Sequence, residues 1–232
     1  MQHPYNEILN LNTGPVRYDL HPLAKVMKLT TKDFPWSINQ FEFDILRSII
    51  SSCNLKSGLE IGTGFGISAI AAGLGFKETN GKLVTIDSYI EEQQNSYTSY
   101  RRALPSLFHE STNYQSVRHL IDHFQLHDTV YPEIGWSPRD TATILRKTLG
   151  PDCKLDYVFL DGGEFPEQVV KDVESFLPFL NEKYIILFQG MFPNVYDVPV
   201  LERITKVTGV QPVLFNDPSL PFTSRLGVVY KS

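Results

Sequence analysis

The sequence predicts a single α/β domain, residues 1–232, built on a doubly wound, mostly parallel sheet of seven strands. Three observations carry that expectation. Short apolar runs alternate with amphipathic stretches along almost the whole chain, the pattern of repeated β–α–β units. The run Leu59–Ile61 enters a loop with glycines at 62, 64 and 66 and then a small-residue segment, as strand-to-helix turns at ligand sites do. Finally, 232 residues with 42% hydrophobic and 20% charged side chains suit one full core better than two small ones.

Taken in order, residues 1–35 are polar and rich in proline, and apolar residues recur at helical spacing from Ile38 to Ile50. Residues 1–57 therefore read as an arm followed by a packing helix. Leu59–Ile61 is the first strand, Ser68–Leu74 opens a helix able to lie close to a sheet, and Leu83–Ile86 is a strand ending at Asp87. The span 88–115 is polar, with Tyr89, Tyr97, Tyr100, Phe108 and Tyr114 interspersed. A connection of that length is functional or disordered. It reads either as a lid over an acceptor, with Arg101 and Arg102 touching substrate, or as a packing surface for a homodimer. Beyond it the pattern predicts a helix over 116–126, a strand over 129–134, a helix over 139–149 and a strand over 155–160 that stops at Asp161. A helix over 168–180, a strand over 184–188, a helix over 198–208 and strands near 213–215 and 226–230 complete the chain. Right-handed crossovers would put the ligand outside the carboxyl ends of the strands.

Composition excludes several classes of partner. A net charge of −5 offers no general attraction to nucleic acid or anionic membranes, so a small neutral or cationic partner is expected. No run approaches the roughly 20 apolar residues that span a bilayer, and MQHPYNEILNLNTG lacks the basic-then-apolar order of a signal peptide. Cys53 and Cys153 are far apart and have no metal-type spacing, which predicts buried thiols in a reducing cytoplasm.

The glycine loop narrows the ligand. A dinucleotide fingerprint, G-x-G-x-x-G, would need glycine where Ile67 stands, and the Lys-Ser/Thr pair of a phosphate-binding loop is missing. Instead Glu60 precedes the first glycine by two residues, and Asp87 ends the second strand. Glu60 would repel a pyrophosphate but could hold an ammonium group directly or through water, while Asp87 is placed to accept from ribose hydroxyls. Together they describe a nucleoside bearing a cation.

Glu60-x-Gly62-x-Gly64-x-Gly66, Asp87, Gly135-Trp136-Ser137 and Asp161 together resemble the class I S-adenosylmethionine-dependent methyltransferases, over roughly residues 38–230. LEIGTGFGIS, YVFLDGGEFPEQVVKDVESFLPFL and YIILFQGMF are most similar to the small-molecule O-methyltransferase group, including its macrocin- and cephalosporin-hydroxylase-like branch. The resemblance implies a Rossmann-like methyltransferase fold with S-adenosyl-L-methionine as cofactor. Its cofactor set would be Glu60, Gly62, Thr63, Gly64, Gly66, Ser68, Asp87, Trp136, Ser137 and Asp161. Within that set the Gly62–Gly66 loop would meet the methionine part, Asp87 the ribose, and Trp136 and Ser137 the adenine.

The pattern departs from the family at the chemistry. Relatives commonly carry D-G-x-H after strand four and H-D or D-N after strand five, but this chain has Asp161-Gly162-Gly163-Glu164 and Gln189-Gly190. Asp161 with Gln189 is a poor start for a magnesium or calcium site unless Glu164 joins them, so a metal-independent reaction is expected. Asp161 and Glu164 are the catalytic candidates, with Glu164 as the general base that takes the acceptor's proton. Glu164 also reads as an acid in the first turn of a helix. His119, His123 and His127 have helical spacing that would suit zinc, but they flank the apolar Leu120, Ile121 and Phe124 as a polar edge. Two rivals stay open: a cofactor-binding relative that does not methylate, and a nicotinamide oxidoreductase, against which the glycine spacing argues.

Overall fold

The computed structural model describes residues 38, 40–89, 113–162, 166–189, 198–214 and 226–232. Helix α1 (Gln40–Ser52) buries Phe43, Leu46, Ile49 and Ile50 along one stripe. Strand β1 (Ser57–Ile61) follows, then helix α2 (Ile67–Thr79) and strand β2 (Lys82–Asp87). Helix α2 is apolar on almost every side because α1 covers one flank and the sheet the other. Gly75 permits that sandwich: a Cβ there would lie 2.8 Å from the Arg47 carbonyl oxygen of α1.

Helix α3 (Asn113–His123), strand β3 (Val130–Ile134), helix α4 (Thr141–Leu149) and strand β4 (Leu155–Leu160) come next. Helix α5 (Pro166–Phe176), a 3₁₀ turn at Leu177–Phe179, strand β5 (Leu180–Phe188), helix α6 (Val198–Thr208) and strands β6 (Val213–Leu214) and β7 (Gly227–Lys231) close the series. The sheet has seven strands in the order β3-β2-β1-β4-β5-β7-β6, all parallel except for β7, which pairs antiparallel with both β5 and β6.

Alternation along the strands divides the core in two. Tyr157, Phe159, Ile185 and Leu187 face α1, α2 and α3, whereas Val158, Leu160, Ile186 and Phe188 face α4, α5 and α6. The chain winds from β1 outward to β3 and then crosses to β4 on the other side of β1. The carboxyl ends of β1 and β4 therefore form the switch point at which ligands of open α/β sheets bind.

Several boundaries differ from the sequence reading. Helix α5 stops at Phe176 rather than near residue 180: the chain tightens there into the 3₁₀ turn Leu177–Phe179, and Pro178 has no N–H to carry the α-helical ladder on. Strand β5 begins at Leu180 instead of Tyr184, and its polar start, Asn181-Glu182-Lys183, is exposed and lies beside a register shift against β4. Cys53 is exposed and Cys153 half-buried, correcting the expectation of buried thiols. Cys53 sits in the turn after α1, beyond the helix's last buried residues, Ile49 and Ile50. Among the described residues no helix is long and apolar enough to cross a membrane.

Candidate active site

The strand ends are laced together at the switch point. Gly135 N–H donates to Asp87 O (2.9 Å), Gly62 N–H to Ile86 O (2.9 Å), Asp161 N–H to Ile61 O (2.8 Å) and Gln189 N–H to Leu160 O (2.9 Å). These bonds extend the ladder past the last strand residues and bring Gly135, Asp87, the glycine loop, Asp161 and Gln189 onto one rim.

The loop's three glycines all have left-handed φ: +92° at Gly62, +49° at Gly64 and +82° at Gly66. Their surroundings differ. A Cβ on Gly62 would stand 2.6 Å from both the carbonyl carbon and the oxygen of Asp161 and 2.7 Å from Gly162 Cα, so the β1 and β4 ends touch backbone to backbone. Among the described residues, a Cβ on Gly64 would meet no atom within 4 Å. Gly64 is therefore an open shelf at the N-terminal end of α2, where the helix dipole is positive.

Two carboxyls hold that shelf. Asp87 accepts the Gly64 N–H through Oδ2 (2.8 Å) and the Tyr89 N–H through Oδ1 (2.7 Å), and its half-exposed side chain keeps lone pairs for further donors. Glu60 lies beneath the loop and is only 1% exposed, with Oε2 accepting from Thr85, its register partner across β1 and β2. Since Thr85 has one proton and gives it to Glu60, the 2.6 Å contact between the Thr63 and Thr85 hydroxyls runs from Thr63 to Thr85. Burial pushes the Glu60 carboxyl up to about 7; the Ser68 and Thr85 hydroxyls pull it down, and the Asp87 charge adds to the rise. Oε1 is buried without a hydrogen-bond partner among the described residues. Glu60 thus lies beneath the loop rather than in the wall of the cleft, and it supplies negative potential there when ionised.

The loop after β3 forms the third side. Trp136 is 45% exposed beside Ile134 at 60%, which leaves an apolar surface on this rim. The Trp136 N–H donates to Asp140 Oδ2 (2.8 Å), and the Asp140 N–H donates back to Trp136 O (2.8 Å). Arg139 and that amide keep the Asp140 carboxyl low, at about 2. Ser137 is half-buried, and its hydroxyl donates to Asp172 Oδ1 on α5 (2.6 Å).

Asp161 is half-buried and lines a cavity of about 20 Å³ with Gly162, Asp172 and Gln189. Gln189 occupies the place of the absent carboxylate, and its buried Nε2 has no partner among the described residues. An N–H donor there does not suit a cation. Among the described residues, no three His, Cys, Asp or Glu side chains converge as metal ligands do. Glu164 and most of the 88–115 span lie outside the described residues. Tyr89 and Tyr114, at the two ends of that span, meet edge to face with ring centroids 5.5 Å apart. The histidine series is broken: α3 ends at His123, Gln125 takes φ +54°, and His127 pairs with Asp128 (3.1 Å).

Sequence reasoning missed Thr85, Asp172 and Gln168. Thr85 is a lone polar residue in the apolar run of β2, on the same strand face as Asp87. Asp172 occupies an apolar-stripe position on α5 alongside Val169, Val173 and Phe176. A buried polar position in either pattern was the available signal.

A doubly wound sheet with an acid-backed glycine loop at its switch point defines an open-sheet α/β protein. Residues 59–189, more than half of the chain, match a family described as a methyltransferase domain, and the chain belongs to that family. Solved structures share the fold. The O-methyltransferase TomG from Streptomyces achromogenes, involved in tomaymycin synthesis and in complex with SAM, matches at 14% identity with 100% of each chain covered and a TM-score of 0.62. The O-methyltransferase from Bacillus cereus in complex with SAH matches at 14% identity, with 97% of each chain covered and a TM-score of 0.61. A putative caffeoyl-CoA O-methyltransferase from Staphylococcus aureus matches at 15% identity, covering 99% of this chain and 98% of that one, with a TM-score of 0.59.

Proposed function

We propose that this chain transfers the methyl group of S-adenosylmethionine (SAM) to a hydroxyl oxygen of a small molecule, as a member of the O-methyltransferase group and of its macrocin- and cephalosporin-hydroxylase-like branch. The observation that carries the reading is the Gly64 shelf: a left-handed glycine with an open face, tied to Asp87 and backed by buried Glu60. The similarity to O-methyltransferases whose structures hold SAM or its demethylated product, S-adenosylhomocysteine (SAH), supports the choice of cofactor.

Gly64 admits the amino-acid part of the cofactor, with Gly62, Thr63, Gly66 and Ser68 shaping the loop around it. Glu60 favours the ammonium charge from below. Asp87 accepts the ribose hydroxyls with the lone pairs its two amide bonds leave over. Trp136 and Ser137 meet the nucleobase. When bound, the cofactor's sulfonium supplies an electrophilic methyl group. The chain then has to place the acceptor oxygen in line and remove its proton. Asp161 borders the acceptor side of the rim, and Glu164, three residues on, takes the proton.

The test is transfer of isotopically labelled methyl from SAM to a panel of phenols and aliphatic alcohols, with and without chelator. Turnover should be unchanged by chelator and lowered about 10²–10⁴-fold by Glu164→Gln. A chelator-sensitive rate would make Glu164 a metal ligand instead. Gln189 favours a second reading, a SAM-binding protein that does not methylate. Tight SAH binding with no transfer to any acceptor would decide for it.

A further inference from the structure

We propose that Asp172 is a positioning residue that fixes which nucleobase the loop after β3 accepts: it turns the Ser137 hydroxyl proton inward, so that Ser137 meets the ligand only as a hydrogen-bond acceptor. The inference rests on the proposal above that a nucleobase edge reaches Ser137.

Asp172 is 2% exposed on the apolar stripe of α5, a costly place for a carboxyl unless its oxygens are used. Oδ1 accepts from Ser137 Oγ at 2.6 Å and from Gln168 Nε2 at 3.1 Å. Gln168 Nε2 also donates to the Ser137 carbonyl oxygen at 3.0 Å. Both partners of that nitrogen are acceptors, which fixes the orientation of the amide. The Ser137 hydroxyl has one proton and two lone pairs. Its proton goes to Asp172, and the fully buried Thr141 hydroxyl donates into one lone pair at 3.1 Å. One lone pair remains on a half-buried residue of the rim.

Burial raises the Asp172 carboxyl while its two hydrogen bonds oppose the rise. The polarity survives in either state, because a proton on Oδ2 leaves Oδ1 an acceptor. A base edge with an amino group completes the Ser137 hydroxyl's hydrogen bonds. A carbonyl at the same place sets lone pair against lone pair and strands a partly buried acceptor. The site is thus built for a 6-aminopurine nucleoside and against a 6-oxopurine one.

Calorimetric titration with SAH and with its deaminated analogue, S-inosylhomocysteine, tests this on the full chain. The unsubstituted protein should prefer SAH by about tenfold or more, the scale of one lost hydrogen bond with an unsatisfied partner. Asp172→Asn should keep the preference, since its carbonyl accepts from the same two donors. Asp172→Leu should bring the two affinities to within about twofold, as should Ser137→Ala. Asp172→Val serves if the leucine variant does not fold. Equal affinities in the unsubstituted protein overturn the assignment while leaving the cofactor reading intact, and so does a preference that survives both Ser137→Ala and loss of the Asp172 carboxyl. Binding of neither nucleoside overturns the cofactor reading and this assignment with it.

Discussion

Gly62 and Gly64 lie two residues apart in the same loop, yet replacing each with alanine should break different things. At Gly62 the new Cβ would stand 2.6 Å from the Asp161 carbonyl group, whereas ordinary contact begins near 3.4 Å, and the atoms in its way are backbone. The β4 end must therefore move by most of an ångström. Overpacking of that kind costs about 1–3 kcal/mol, and a left-handed φ adds about 1–2 kcal/mol for any residue with a Cβ. The total of about 2–5 kcal/mol is a large share of the 5–15 kcal/mol that holds a domain of this size. At Gly64 only the conformational cost of about 1–2 kcal/mol applies, because no atom of the described residues lies within 4 Å. That empty space is where the cofactor is proposed to sit. Urea unfolding followed by circular dichroism should show a large drop in midpoint for Gly62→Ala and a small one for Gly64→Ala. Calorimetry on folded Gly64→Ala should show SAH affinity reduced at least about tenfold. Equal midpoints would refute the close approach of β1 and β4, and unchanged affinity in Gly64→Ala would refute the shelf.

Glu60 should make stability depend on pH. Its folded carboxyl titrates near 7 against about 4.3 in the unfolded chain, so between those values the native state holds a proton that the unfolded state has lost. Stability should fall as pH rises from about 4 to 7, by on the order of 3 kcal/mol, and level off above. Glu60→Gln should remove that part of the slope in urea titrations at several pH values; an identical slope in the variant would contradict it. An ammonium group held over the loop favours the ionised carboxyl, so SAH binding near pH 7 should release protons, measurable by calorimetry in buffers of different ionisation enthalpy. At the opposite end of β1, Asp156 accepts the Lys56 and Ser57 N–H groups at 2.8 and 3.0 Å. Asp156→Ala should cost about 1–3 kcal/mol of stability and leave SAH affinity unchanged.

The parallel sheet was legible in the sequence because strands covered on both faces read as continuous apolar runs, as Val158–Leu160 does. The loop was legible too, since three alternate glycines after a strand have few other uses. Strand β5 was not legible at its start, because exposed Asn181-Glu182-Lys183 looks like a turn until the neighbouring strand is in place. Glu60 was found as a residue, but its setting was not. That it sits under the loop and shares a proton chain with Thr85 follows from the register of β1 against β2, which no local pattern encodes. Asp172 escaped for the same reason: an acid on an amphipathic helix reads as solvated until the partner loop that uses it is packed against it.

The rim formed by the Gly62–Gly66 loop and Asp87 should bind a nucleoside bearing a cation. Parallel calorimetric titrations of the unsubstituted chain with SAM and with NAD, in one buffer, test it most directly. Saturable binding of SAM is expected, weakened at least about tenfold in Gly64→Ala, with no measurable binding of NAD. Saturable binding of NAD with none of SAM would contradict it.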